Sequence, residues 1–450
     1  MRWFWGQKIK GQKETLDMGQ FTPHPSTGYL VGGAVRDTLL KRPVRDMDWL
    51  VEYPRLEAQH AATELKARAF CLDEQRDHWR VVAEGMTCDY TPLEDSERSL
   101  ETNLRARDYT VNALAADLGG RITDPTEGRA DLRAKQLRMI SEANLQADPV
   151  RSLRGVRLAA TLEFGLEADT RAAIQQHAAL LENAEASLPA WERISDELTQ
   201  LLLSENAAPG FDLLHQVGLL QVYLPELADA DGVTQGGFHH LDVLGHSLEA
   251  LNQLIQGFPD ADLTLRWATL LHDAGKPATK TYEEGSSHYH FYGHDKLGAE
   301  LTKAILGRLR TPTAQGERAA SLVRYHMVQL PKSDKEARRF VHRRRALLPD
   351  LLKLMIADRE AARGPMSSEG SRRGYKLALA RVLEIMDEAP PKALLLDGRD
   401  VMQLLDLLPG PRVGEAVRFV QEAEAVGDVK TRAEAEAALR HYAEVQGWFK

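Results

Sequence analysis

The sequence predicts an α+β fold: a small mixed or antiparallel sheet near the N-terminus, then a long all-helical body. Three observations predict it. Strand-like apolar segments occur only between residues 27 and 125, mixed with helical ones. Beyond about residue 130, leucine, alanine and charged residues recur at helical spacing to the C-terminus. The 450 residues, 43% hydrophobic and 27% charged, suit a folded chain of two to four domains rather than a disordered one.

Residues 1–26 read as a poorly specified, mobile lead-in. Tyr29-Leu30-Val31 is a short strand that runs into Gly32-Gly33, where a helix opens. Residues 48–52 alternate as a second strand, and 80–84 with 87–91 form a hairpin turning at Gly85. Helices are expected over 149–162, 191–203 and 262–272. Breaks are expected near Pro209-Gly210, 232–237, Pro312 and Pro390-Pro391. The net charge of −9 excludes wholesale coating of nucleic acid but leaves room for a local basic stripe. Cys71 and Cys88 make neither a disulfide framework nor a zinc cluster, so a reducing cytoplasm is expected. No apolar run approaches the roughly 20 residues of a membrane span.

The chemistry begins at Gly32-Gly33-Ala34-Val35-Arg36-Asp37, followed by Asp46-Met47-Asp48. Residues i and i+2 of a strand share a face, so Asp46 and Asp48 can hold a divalent metal between them. Gly32 and Gly33 let backbone approach a triphosphate. Arg36 is suited to clamp phosphate oxygens, or else pairs with Asp37 at the surface. Metal-assisted nucleotidyl transfer is the reading. A second segment, Arg107-Asp108-Tyr109-Thr110-Val111-Asn112, offers Arg107 and Asn112 to phosphate or sugar, or is a helix start capped by Asp108. In the third, Asp148 and Arg151 stand at i, i+3, one offering acceptors and the other donors to a base edge. The plain alternative is a helix start with Pro149 at its first position. Arg154 and Arg157 extend a basic stripe. In the fourth, Arg193 and Glu197 stand at i, i+4 and could simply brace their helix.

These four segments, in this order, resemble the bacterial class II tRNA nucleotidyltransferases, the CCA-adding family, over roughly residues 28–225. More distantly they resemble bacterial poly(A) polymerases. The resemblance implies a nucleotidyltransferase head with a metal-binding Asp46/Asp48 pair, then an all-α neck, body and tail. It implies Mg2+ as cofactor, with CTP, ATP and the tRNA acceptor arm as partners. Gly32, Gly33, Arg36, Arg107, Asp108 and Asn112 would bind triphosphate and ribose. Asp148 and Arg151 would pair with the incoming base, Asp131-Leu132 matches a short acidic motif after the sheet, and Glu192, Arg193 and Glu197 would support the template helix. Two residues depart from the family pattern: Ala106 stands where an arginine is usual, and Ala147 where a glutamate is usual. The connection from Tyr90 to Asn103 is also short for the family. Members with a trimmed loop there add only the two cytidines, so a CC-adding enzyme is favoured over a full CCA-adding or an A-adding one.

A second cluster holds His239, His240, His246, His272-Asp273, His288, His290, His294, His326 and Asp358. Histidine and aspartate drawn from several helices suit a transition metal. The pattern His246, His272-Asp273 and Asp358 resembles the HD superfamily of metal-dependent phosphohydrolases over roughly 236–365, with His294 and His326 matching extra histidines of some members. An HD fold also serves elsewhere as a scaffold with an idle site. The domain plan is therefore a lead-in (1–26), head (27–140), neck (141–230), HD-type helical domain (236–365) and helical tail (366–450). The basic run Arg338–Arg345 reads either as a phosphate-binding strip or as a solvated helix face. Two other classes stay open: a phosphohydrolase with a decayed head, and an RNA-binding protein without catalysis. Oligomeric state is left open.

Overall fold

The computed structural model describes residues 15–93, 97–184, 186–235, 240–282, 289–363, 369–388 and 394–448. The chain divides into two compact units, Met1–Pro225 and Glu226–Lys450.

The first unit is built on seven strands: β1 (Tyr29–Val31), β2 (Asp46–Val51), β3 (Ala69–Asp73), β4 (His78–Ala83), β5 (Met86–Pro92), β6 (Ala115–Asp117) and β7 (Ile122–Thr123). Their order is β3-β4-β5-β2-β1-β6-β7. Every pairing is antiparallel except β2 with β5, so the sheet is mixed, as expected. Helices α1 (Gly33–Leu39), α2 (Pro54–Glu64), α3 (Glu97–Arg105) and α4 (Gly128–Ala134) surround it. Then come α5 (Glu142–Ala147), α6 (Val150–Leu162), α7 (Ala168–Glu182), α8 (Trp191–Leu203) and α9 (Ala207–Gln216). Alternation in β2 buries Met47 and Trp49 and turns Asp46 and Asp48 to the other face, where they are solvent-accessible although surrounding protein crowds Asp48. The Glu84-Gly85 turn takes positive φ at both residues (49° and 78°), the backbone a tight two-residue hairpin needs.

Several expectations need correction. Residues 15–26 are no loose lead-in, because Thr15 bridges to Arg121 and both Met18 and Phe21 are buried; residues 1–14 lie outside the described residues. Strand β2 starts at Asp46 rather than 48, which places both carboxylates inside it. Strand β3 was not foreseen, since its sequence lacks alternation and its side chains are half-buried or exposed at the sheet edge. Among the described residues beyond 130, Gln136–Leu137 still pairs with Gly165–Leu166, and Thr281 bridges to His290. Pro149 caps α6 instead of opening it, and Asp148 closes α5. Pro209 does not break its helix. It sits in the first turn of α9, where its missing N–H needs no partner within the helix. The Pro390-Pro391 break lies outside the described residues.

The second unit is helical. Helices Val243–Gly257, Leu263–Leu271, His294–Arg308, Thr313–Tyr325 and Asp350–Ala361 pack as a bundle. Beyond them Val401, Ala416, Val420, Ala435 and Leu439 centre a separate apolar cluster. The basic run is tied into its own unit: Arg338 pairs with Glu388, and Arg339 and Arg343 share Glu422. Among the described residues no helix is long and apolar enough to cross a membrane.

Candidate active site and histidine cluster

A cleft of about 700 Å³ in the first unit is lined by most of the predicted residues; Gly32, Asp148 and Arg193 are not among those lining it. Its floor is the open face of the sheet, where Asp48 lies in register with Asp89 of β5, and Asp46 with Thr87. Asp89 is a third carboxylate that sequence reading missed; only the Thr87-x-Asp89-x-Thr91 alternation hinted that it faces the same side. Arg80 grips Asp89 with two 2.7 Å hydrogen bonds. The Asp48 carboxyl is pushed above the ordinary carboxylate range, first by enclosure in the cleft floor and then by Asp89 and Asp46, against the pull of Arg107. Crowded like charges with oxygen donors on one face are the chemistry of a Mg2+ site, since a cation relieves their repulsion.

At Gly32 the backbone has φ 72°, and a side chain there would lie 2.6 Å from Arg107 Nη1 and 3.5 Å from Asp48 Oδ2. Glycine therefore lets the guanidinium reach the carboxylate wall. Arg36 donates to both oxygens of Asp37 (2.9 and 2.8 Å) and from Nη1 to Asn112 Oδ1 at 2.5 Å, so its surface pairing and its place in the cleft hold together. Asp108 caps no helix. It is buried and accepts from Asn112 Nδ2 (3.1 Å) and Arg154 Nη1 (3.2 Å).

The helical wall differs in detail from expectation. Asp148 and Arg151 meet only at 4.0 Å. Arg193 instead grips Asp148 bidentately, at 3.0 and 2.6 Å. Burial raises the Asp148 carboxyl, but Arg193, helped by the Val150 N–H and Arg151, holds it below the usual carboxylate range. Arg151 Nη1 donates to the carbonyls of Ala106 (3.1 Å) and Asn144 (2.9 Å). Arg193 and Glu197 do not brace one helix: Glu197, 5% exposed, accepts from Arg154 Nε at 2.7 Å and Arg157 Nε at 2.5 Å. Asp131 of α4 is buried and accepts from Thr110 Oγ1 and Arg138 Nε.

In the second unit, His246 Nε2 lies 3.0 Å from Asp358 Oδ1, and His272 Nε2 3.2 Å from Asp273 Oδ2. The two Nε2 atoms are 3.3 Å apart. On the other side of Asp273, the Nε2 atoms of His294 and His326 are 3.4 Å apart and 3.6 and 3.7 Å from Oδ1. Among the described residues that buried oxygen has no hydrogen-bond donor. The Nδ1 atoms of His272, His294 and His326 are turned to the carbonyls of Thr269, Phe291 and Val323, which aims each Nε2 inward. Burial, then neighbouring His272, pushes His326 down to about 4, leaving the neutral imidazole that ligates metals. Among the described residues, only the triads His246–His272–Asp273 and Asp273–His294–His326 set three ligand atoms within 4.8 Å of one another. The donor set fits a transition metal. His240 and His290 stay outside these triads, and His239 and His288 lie outside the described residues.

Residues 28–138 match the family model of the poly(A) polymerase head domain. Residues 163–231 match that of a probable RNA and SrmB-binding site of polymerase A, and 239–363 that of the HD domain. An A-adding tRNA nucleotidyltransferase of Deinococcus radiodurans is 52% identical, over 94% of this chain and 97% of that protein. A CC-adding tRNA nucleotidyltransferase of Thermus thermophilus is 45% identical, over 93% and 94%. The structure of the Bacillus stearothermophilus CCA-adding enzyme in complex with CTP shares the fold, with a TM-score of 0.66 at 24% identity over 93% and 94% of the two chains.

Proposed function

The chain belongs to the tRNA nucleotidyltransferase family, and from that premise we propose that it builds only part of the CCA end, adding CMP to tRNA. The observation that carries this reading is the connection from Pro92 to Arg107. Only four residues separate β5 from α3, which leads almost directly into Arg107, leaving no room for a long loop. A second reading, addition of the terminal AMP, is favoured by the higher identity to the Deinococcus A-adding relative. Transcripts ending at the discriminator base, at C and at CC, each incubated with single nucleotides, separate the two. CMP on the first two substrates supports the first reading. AMP on the CC transcript alone supports the second, and CMP on the first two together with AMP on the CC transcript overturns both.

In the mechanism, Asp46 and Asp48, with Asp89, would hold Mg2+, which supplies charge neutralisation at the α-phosphate and eases ionisation of the primer hydroxyl. Arg36, Arg107 and Asn112 orient the triphosphate and ribose, with Gly32 and Gly33 giving the backbone clearance. Arg154, fixed by Asp108 and Glu197, and Arg157 keep the cleft wall cationic. Asp148 offers carboxylate lone pairs and Arg151 donors to one base edge, which suits cytosine N4, N3 and O2. The tRNA 3′-oxygen attacks the α-phosphorus and pyrophosphate leaves. Asp46→Asn or Asp48→Asn abolishing incorporation without loss of fold is the expected result.

The head, neck, HD-type and tail boundaries are proposed as read from the sequence. For the second unit, His246, His272, Asp273 and Asp358 would hold a transition metal, and phosphate-ester hydrolysis at RNA ends is the reading. Bound metal in the purified protein, with turnover of a 2′,3′-cyclic phosphate lost in Asp273→Ala, tests it; metal without turnover leaves a structural site. A cytoplasmic location is supported by the unpaired Cys71 and Cys88.

A further inference from the structure

Tyr109 is wholly buried, and its phenol donates a 2.8 Å hydrogen bond to the backbone carbonyl of Arg151. Burial first, then Asp108, raises its ionisation well above the usual range, so the O–H stays available to donate. The same carbonyl is the one to which the N–H of residue 155 turns in an α-helix, so the ring lies against the helix at Gly155. A Cβ at 155 would overlap the phenol oxygen outright and sit 2.6 Å from Cζ. The neighbouring residue ties down the same turn, because Asp108 accepts from Arg154. On its other side the 108–110 segment is zipped to 138–140, through Ile140 N to Asp108 O and Thr110 N to Arg138 O. Residues 151, 154 and 155 of α6 thus meet one fixed point, and that point is contiguous with Arg107 and Asn112 of the triphosphate cleft.

We propose that Tyr109 is a positioning residue that sets the register of Arg151 against the triphosphate cleft, with Gly155 as the socket that admits its ring. This rests on the reading of Arg151 as base-selecting. A hydrogen bond to a carbonyl cannot change the side chain's chemistry; it fixes where that side chain starts. Loss of the bond therefore loosens nucleotide choice more than turnover.

The test uses the full chain. Tyr109→Phe keeps the ring and removes the donor. Its KM for the preferred nucleotide should rise roughly fivefold, the scale of one lost neutral hydrogen bond, with discrimination against the other three nucleotides falling by a similar factor and kcat little changed. Gly155→Ala should lower Tm, and Tyr109→Leu combined with Gly155→Ala should restore Tm while selecting nucleotides no better than Tyr109→Phe. An active wild-type enzyme whose Tyr109→Phe variant keeps its KM and discrimination overturns the positioning role, whatever happens to Tm. Failure of the double variant to regain Tm overturns the socket. A wild-type chain that adds no nucleotide overturns the reading beneath and this proposal with it.

Discussion

Glu197 bridges two arginines with one carboxylate: Arg154 takes one oxygen and Arg157 the other. The pair of guanidiniums lines the cleft, and buried Glu197 between them, with Asp108 beside Arg154, offsets their charge. Replacing it with glutamine preserves shape and strips the charge. Arg157 then loses its carboxylate partner while Arg154 keeps only Asp108, and breaking buried pairs of this kind costs about 3–5 kcal/mol. Arg154 is a third exposed, so the low end, about 3 kcal/mol, is expected in urea unfolding of Glu197→Gln. A loss below about 1 kcal/mol would mean that solvent already screens the pair. His177 carries a second residue-scale expectation. It lies buried in α7, with Nδ1 2.7 Å from Ser152 Oγ, and burial lowers its proton affinity in the folded state. The unfolded chain takes up that proton near the ordinary histidine value, about 6.5, whereas the folded chain resists it. The contribution is complete above that value and is lost as pH falls through it. Unfolding free energy measured from pH 7.5 down to 5.5 should therefore decline, and His177→Gln should flatten that part of the slope.

Gly32 shows how an element depends on one backbone conformation. It ends β1 and precedes α1 at φ 72° and ψ −131°, and Arg107 crosses the space a side chain would fill. Alanine there costs about 1–3 kcal/mol of backbone strain, and it also pushes Arg107 off the carboxylate wall. Gly32→Ala should lower nucleotide incorporation far more than it lowers Tm; equal activity would show that Arg107 is dispensable. Elements like this were legible in the sequence because their signal is local. The glycine pair, the alternation of Asp46 and Asp48 and the Gly85 turn each follow from residues a few positions apart, and helix Trp191–Leu203 emerged with the bounds expected of it. What stayed hidden depends on partners distant in sequence. Asp89 joins the carboxylates only because β5 pairs in parallel with β2, and a parallel register leaves no trace in either strand. Arg193 and Glu197 looked like partners at helical spacing, but Asp148 and the α6 arginines, some 40 residues earlier in the chain, compete for them and win. Strand β3, an exposed edge, has no buried face to print a pattern on its sequence.

At the scale of the molecule, the cleft draws all its residues from the first unit and the histidine cluster all of its own from the second. The two also differ in donor chemistry. Carboxylate oxygens on an open sheet face suit a hard, readily exchanged cation, whereas buried imidazoles around Asp273 suit a transition metal retained through purification. Chelation should therefore act in two steps. Brief treatment with EDTA followed by Mg2+ should restore nucleotide addition in full, while elemental analysis still finds a transition metal in the second unit. His272→Ala should lose that metal and leave incorporation unchanged, because no residue of the triads lines the cleft. Asp46→Asn should do the reverse, abolishing incorporation and keeping the metal. If a folded His272→Ala protein instead loses nucleotide addition, the two centres are coupled through the tRNA or through the chain, and their separation by residue does not extend to function.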